Sequence, residues 1–194
     1  MTLYPYALFF HVVGVLGLFI SIGLEVTAVF RMRAAKTTTQ IHEWMSINSA
    51  LEKILPASAV LILLSGLYMI FTGWGWSHAW INLSLGVLIV MGILGPVING
   101  PRIKAIHVAA EAAPDGPVPA SLQKPIFDPI LRAYVLIPAF MALGVVALMI
   151  LKPDWIGSVV VLVLAFIVGT ISGQLPRRTP HKAQSVARET PLQS

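Results

Sequence analysis

The sequence contains no cysteine. That excludes disulfides, thiolate metal ligands, iron–sulfur clusters and covalent c-type haem attachment. Any metal or haem must then be held by histidine, methionine, tyrosine, carboxylate or lysine. Charge is also scarce: Asp, Glu, Lys and Arg make up 11% of the 194 residues, against about 25% in a soluble domain. No Lys or Arg precedes the first apolar run, so the basic n-region of a cleaved signal peptide is missing. No P-loop, G-x-S-x-G, H-E-x-x-H or dinucleotide fingerprint occurs, which removes the enzyme classes those motifs serve. No repeat recurs at a fixed period, and an inverted-repeat transporter is hard to build from the spans available.

What remains is apolar. Hydrophobic residues make up 57% of the chain and mean hydropathy is +0.83. Several runs reach about 20 apolar residues, the length that crosses a ~30 Å hydrocarbon core. They predict an all-α integral membrane bundle of five transmembrane helices, over about 4–30, 51–71, 80–97, 129–151 and 155–173. Residues 1–175 form this transmembrane domain, and residues 176–194 are expected to be a disordered basic cytoplasmic tail containing a solvated His181. With the N-terminus outside and the C-terminus inside, every Lys and Arg except Lys152 falls on the cytoplasmic side, as the positive-inside rule requires. The expected location is the bacterial cytoplasmic (inner) membrane, multi-pass. The net charge of +5 belongs to this topology and predicts no nucleic-acid partner.

Local signals refine the picture. Thr37 to Gln40 offers N-caps for a helix that starts before span two. Pro56 and Pro138 are kink candidates inside spans two and four. Trp74, Trp76 and Trp80 read as an interfacial aromatic belt, with Ser77 as N-cap of span three. Pro96, Asn99, Gly100 and Pro101 end or bend that span. Ile103 to Ala113 is a short helical extension carrying His107, and residues 114–123 read as a loop. Asp128 followed by Pro129 is an N-cap and first helical residue.

The residues that could carry chemistry lie first on span one. At 100° per residue His11, Gly14, Leu18, Ser21, Ile22 and Glu25 share one face, with Gly17 at its edge. A narrow polar, small-residue stripe in lipid faces protein, a cofactor or water. His11 lies roughly 10 Å below the outer boundary at ~1.5 Å per residue. Imidazole is a haem or metal ligand and a proton-transfer group. Gly14, one turn along, would let a flat porphyrin lie against the helix. The competing reading is an interhelical hydrogen bond from His11 to a serine or a backbone carbonyl. For a second axial ligand His78 is the best candidate, folded down from the outer loop; otherwise it is a loop residue among tryptophans. A five-coordinate haem, a haem shared between subunits, and Met69 or Met149 as ligand are further options.

A second cluster gathers at the inner ends of the spans: His42, Glu43, Glu52, Lys53, His107 and Arg132, with Glu25 nearby. Glu25 in the membrane needs a partner, and Arg132, Lys53 or a histidine could supply it. Arg132 and Lys53 could hold propionates or an anionic substrate. His42 and His107 could hold a second haem or metal. The bland reading of the cluster is a structural ion-pair network.

Two stretches, ALFFHVVGVLGLFISIGLE and LLSGLYMIFTGWGWSHAWINLSLGVLIVMGILGP, resemble a bacterial family of predicted integral membrane proteins. The shared pattern is His-Val-x-Gly in helix one, Ser/Thr-Gly-Leu near the outer end of helix two, a Gly-Trp loop and a Trp opening helix three. The histidine in helix one is also similar to that of two wider groups, the D-type copper-resistance membrane proteins and the haem-dependent membrane protoporphyrinogen oxidases. In the latter a helix-one histidine is thought to hold haem b, and His11 is the position that matches. Their conserved lysine has only a loose counterpart here in Lys53.

The resulting expectation is a b-type haem-binding membrane protein, acting in cytochrome-like electron transfer or as a haem-dependent oxidoreductase, with His11 as axial ligand. A quinone or another redox protein would be its partner, and copper is the alternative to haem. The competing expectation is a non-redox membrane protein that handles a metal ion or small solute, or assists assembly. There the stripe from His11 to Glu25 is a packing or permeation line. A homodimer would use Gly14, Gly17 and Ser21. The feature that separates these readings is whether the face of His11 is open or filled by neighbouring helices.

Overall fold

The computed structural model describes residues 3–174, the side chains of 48–52 excepted. Helix α1 spans Tyr4–Ala34 and α2 spans Thr38–Met69, extended by a π-helical turn over Ile70–Trp74. Helix α3 is Ala79–Leu94, followed by a second π turn over Gly95–Asn99 and then α4, Gly100–Glu111. Helices α5 (Ala120–Ile126), α6 (Pro129–Leu151) and α7 (Trp155–Gln174) complete the described residues. Among the described residues five helical stretches are long and apolar enough to cross a membrane: Tyr4–Ala34, Lys53–Trp74, Ala79–Glu111, Ala120–Leu151 and Trp155–Gln174. The protein is thus an all-α membrane bundle, with large apolar side chains such as Phe9, Leu16, Leu64, Ile93 and Ile156 turned outward to lipid. Lipid leaves backbone groups no solvent partner, so a helix is the spanning form this chain can take.

Two antiparallel pairs make the most extensive contacts, α1 with α2 and α6 with α7. Glycine explains both. A Cβ on Gly169 would lie 3.0 Å from the Ile137 Cα, and one on Gly173 would lie 3.1 Å from the Ala133 Cα. Small residues let helix backbones approach where lipid supplies no hydrophobic drive.

The ends of the bundle differ. At the aromatic end Trp74 Nε1 donates to the Tyr4 hydroxyl at 3.0 Å, and the Lys152 ammonium lies 4.3 Å over the Trp74 ring. Lys152 itself takes a left-handed backbone conformation, φ 47°, to close α6. Ser77 does not cap α3; the residue before that helix is His78, with extended backbone and no side-chain cap.

At the basic end lies a packed core of Val29, Met32, Ile41, Met45, Ile106, Ala110, Leu122, Ile126, Leu131 and Val135. Thr37 caps α2, accepting from the Gln40 amide. The stretch after α4 is not a free loop as its composition suggests. Thr38 donates through its amide to Gly116 O at 3.0 Å and through Oγ1 to Pro114 O at 3.1 Å. From Ala120 the chain is helical, because Leu122 and Ile126 fill the core. Span three runs beyond its expected bounds of about 80–97. Pro96 and Pro101 do not end the helix; it widens into the π turn and continues to Glu111.

Asp128 ties this end together. Its Oδ1 accepts from the Ile130 amide at 2.8 Å and its Oδ2 from Arg102 Nε at 3.0 Å. Arg33 donates to the Ile126 and Asp128 carbonyls at 2.9 and 2.7 Å. Asp128→Ala removes a cap worth about 1 kcal/mol and a partly exposed ion pair worth up to ~1 kcal/mol. The expected loss is 1–2 kcal/mol, at most about 2, in SDS-driven unfolding followed by circular dichroism. Asp128→Asn keeps the cap and should lose only the ion-pair share.

Candidate polar sites in the bundle

His11 is buried, 9% exposed, on the face of α1 that meets α2. Its Nδ1 lies 3.2 Å from Ile62 O and 3.3 Å from Ser65 Oγ. A carbonyl oxygen only accepts, so Nδ1 carries the proton and donates to it. The Ser65 hydroxyl spends its own hydrogen on the Leu61 carbonyl, which leaves its oxygen as a second acceptor for Nδ1. The imidazole rests on Gly66, where a Cβ would come within 3.4 Å of Cε1. With Nδ1 protonated, the neutral ring has its lone pair on Nε2. No hydrogen bond reaches Nε2 among the described residues. A ligating histidine is oriented in the same way, by an outer hydrogen bond from its second nitrogen.

The glycines beside it are not open. A Cβ on Gly14 would lie 2.9 Å from Ile62 Cγ1 and 3.1 Å from both Ile62 N and Ser58 O. One on Gly17 would run into Ser58 Oγ. Ser21, fully buried, donates to its own helix at Gly17 O, 2.9 Å away. This corrects the expectation that Gly14 provides a bed for a flat ring, because α2 occupies that space. It also removes the argument for a dimer through Gly14, Gly17 and Ser21, since the strip is spent within the chain. The Nε2 lone pair of His11 is of the kind a haem iron takes, whereas the surface beside Gly14 does not fit a porphyrin face.

Glu25, three to four turns further along the stripe, is half-buried. Its partner is none of the cations expected for it. Asn99 Nδ2 donates to Glu25 Oε1 at 2.6 Å, and Asn99 Oδ1 is buried without a partner. The π turn after α3 presents Asn99 here, and such turns recur at functional positions. Tyr134 of α6 is close enough to sense the charge of Glu25, and its hydroxyl lies 2.9 Å from where a Cβ on Gly95 would be.

The other candidates are dispersed. His78 sits in the aromatic cluster, its ring centroid 5.9 Å from Trp74 and 6.0 Å from Trp80. No hydrogen bond or ring contact joins it to His11 among the described residues. Arg132 donates to Ser172 O at 3.4 Å and lies over the Phe30 ring, bridging α6 to α7 and α1 instead of meeting Glu25. Lys53 is exposed. His42 and His107 do share a shallow cleft of about 220 Å³ with Met45, Ser46 and Glu111, but His42 Nε2 donates to Ala110 O at 3.1 Å. Among the described residues no group of three or more His, Asp or Glu side chains could hold a metal ion. The Glu52 side chain, His181 and the tail from 176 to 194 lie outside the described residues.

Sequence reasoning passed over Asn99 as an acid's partner and Tyr134 as its neighbour. Ser65 and Gly66 of α2 form the surface on which His11 rests, and Ser58 meets Gly14 and Gly17.

Residues 6–153 match a family model described as predicted integral membrane protein (DUF2269). No curated protein and no solved structure matches the chain.

Proposed function

We propose a b-type haem-binding redox role for this chain, which belongs to the DUF2269 family of predicted integral membrane proteins, with His11 Nε2 as an axial ligand. One observation carries the reading. Ile62 O and Ser65 Oγ hold the Nδ1 proton of a buried imidazole, so the lone pair of Nε2 is fixed in place and uncommitted. Hydrogen bonding at Nδ1 raises the basicity of Nε2 and fixes the ring's orientation. Gly66 permits the ring to seat against the α2 backbone.

Haem b would supply one-electron exchange between ferric and ferrous iron, with a quinone or another redox protein as partner. Haem is favoured over copper by donor count. Haem brings four equatorial nitrogens of its own and needs one or two from the protein. A bare copper ion needs several protein ligands, and no such cluster surrounds His11 among the described residues.

The closed face at Gly14 supports a second reading. In it His11 is an interhelical hydrogen-bond donor, and the stripe is the packing line of a non-redox membrane protein. An absorbance spectrum of detergent-purified protein, expressed with supplied haem, separates the two. The haem reading expects a Soret band, with sharp α and β bands after dithionite reduction. A protein that stays colourless after haem supplementation overturns it and leaves the packing reading.

A further inference from the structure

A carboxylate within a membrane helix is expensive, and the usual remedy is an ion pair. Glu25 does not use that remedy. Among the described residues its one hydrogen-bond partner is Asn99, and no ion pair reaches it from α2, α3 or α6. The titratable neighbour is the Tyr134 phenol of α6. Asn99 is itself 8% exposed, and its buried Oδ1 lacks a donor. A buried amide oxygen left in that state is a loss the structure should not carry.

Both anomalies have one remedy, a proton on the second oxygen of Glu25. We propose that Glu25 and Asn99 form an intramembrane proton-binding site, an acid–amide pair joined by two hydrogen bonds. Asn99 Nδ2 donates to the carbonyl oxygen of the acid, and the acid's O–H donates to Asn99 Oδ1. The orphaned acceptor is then satisfied and no unpaired charge remains. Turning the amide by 180° leads to the same result. Oδ1 would then face Glu25 Oε1 at 2.6 Å, and two oxygens at that separation require a proton between them. The distance is ordinary for O–H···O and short for N–H···O. The ligand is a single proton, so the site stands or falls independently of whether His11 binds haem.

The test is infrared spectroscopy of the full-length protein in liposomes near neutral pH, in H₂O and in D₂O. The expected result is a protonated-carboxyl C=O band that moves down on deuteration and is lost in Glu25→Gln. In Asn99→Ala the band should move up, since the carbonyl loses its donor. A spectrum with no protonated-carboxyl band sensitive to Glu25→Gln overturns the proposal. Should that variant fail to fold, a hydrophobic carbodiimide on the wild-type protein decides, because it modifies protonated carboxyls in the membrane. An adduct on Glu25 in the α1 peptide supports the site, and an unmodified Glu25 overturns it.

Discussion

His11→Ala is expected to remove the reduced-minus-oxidised haem spectrum, lowering haem occupancy at least tenfold, while leaving helicity unchanged. Loss of outer partners alone typically weakens a metal site 10–100-fold, and on the haem reading this variant removes the ligand itself. The fold should survive because no buried polar atom is stranded. The Ser65 hydroxyl keeps its bond to Leu61 O, and Ile62 O stays within α2. Two companion measurements separate ligation from a structural role. Added imidazole should restore part of the spectrum to His11→Ala, since it can occupy the vacated space and present a nitrogen to iron. Ser65→Ala should shift the bands and weaken binding less than His11→Ala, because Ile62 O still accepts from Nδ1. If instead His11 only joins α1 to α2, the wild type is colourless. His11→Ala would then cost about 0.6 kcal/mol, the mean for an interhelical hydrogen bond in a membrane.

How far the chain could be read in advance follows from what lipid demands. Five spans are legible because each must satisfy its own backbone over about 20 residues, and the five apolar helices are present. The caps at Thr37 and Asp128 are legible because the hydrogen bond is local: the acceptor side chain and the amide it serves lie two or three residues apart. The stretch from Pro96 to Pro101 is not legible in the same way. Proline denies the helix an N–H, which predicts an end or a bend. The chain resolves the conflict by widening one turn to a π helix, and the direction in which Asn99 then points depends on that turn. The pairing of Glu25 with Asn99 is therefore invisible to a rule that looks for an opposite charge. Helix α5 was hidden for a related reason: its sequence, ASLQKPI, carries proline and polar residues, and it is helical because Leu122 and Ile126 are drawn into a core built from α1, α2, α4 and α6. The contact of His11 with a serine and a backbone carbonyl was one of two readings open to the sequence. Periodicity gave the shared face but not which neighbour fills it.

Gly14→Ala tests that filling directly and is expected to destabilise the bundle by about 1–3 kcal/mol, the usual cost of overpacking. The new Cβ would meet Ile62 Cγ1 at 2.9 Å, which a rotamer change could relieve. It would also meet Ile62 N and Ser58 O at 3.1 Å, and these backbone atoms can retreat only if α2 moves away. Gly17→Ala should cost less, because the atom it meets is the Ser58 hydroxyl at the end of a side chain, which can rotate aside. Gly23→Ala meets nothing within 4 Å and should be neutral or stabilising, since alanine is the better helix former by about 1 kcal/mol. The order Gly14, Gly17, Gly23 in SDS-driven unfolding is thus fixed by what stands opposite each glycine. Displacing α2 would also draw Ile62 O away from His11 Nδ1, one turn along the same face. In a haem-loaded protein Gly14→Ala should therefore shift the bands and destabilise the helices together. A Gly14 that instead lay open under a porphyrin would give a different pattern. The haem-free variant would be as stable as the wild type, and only the loaded protein would respond.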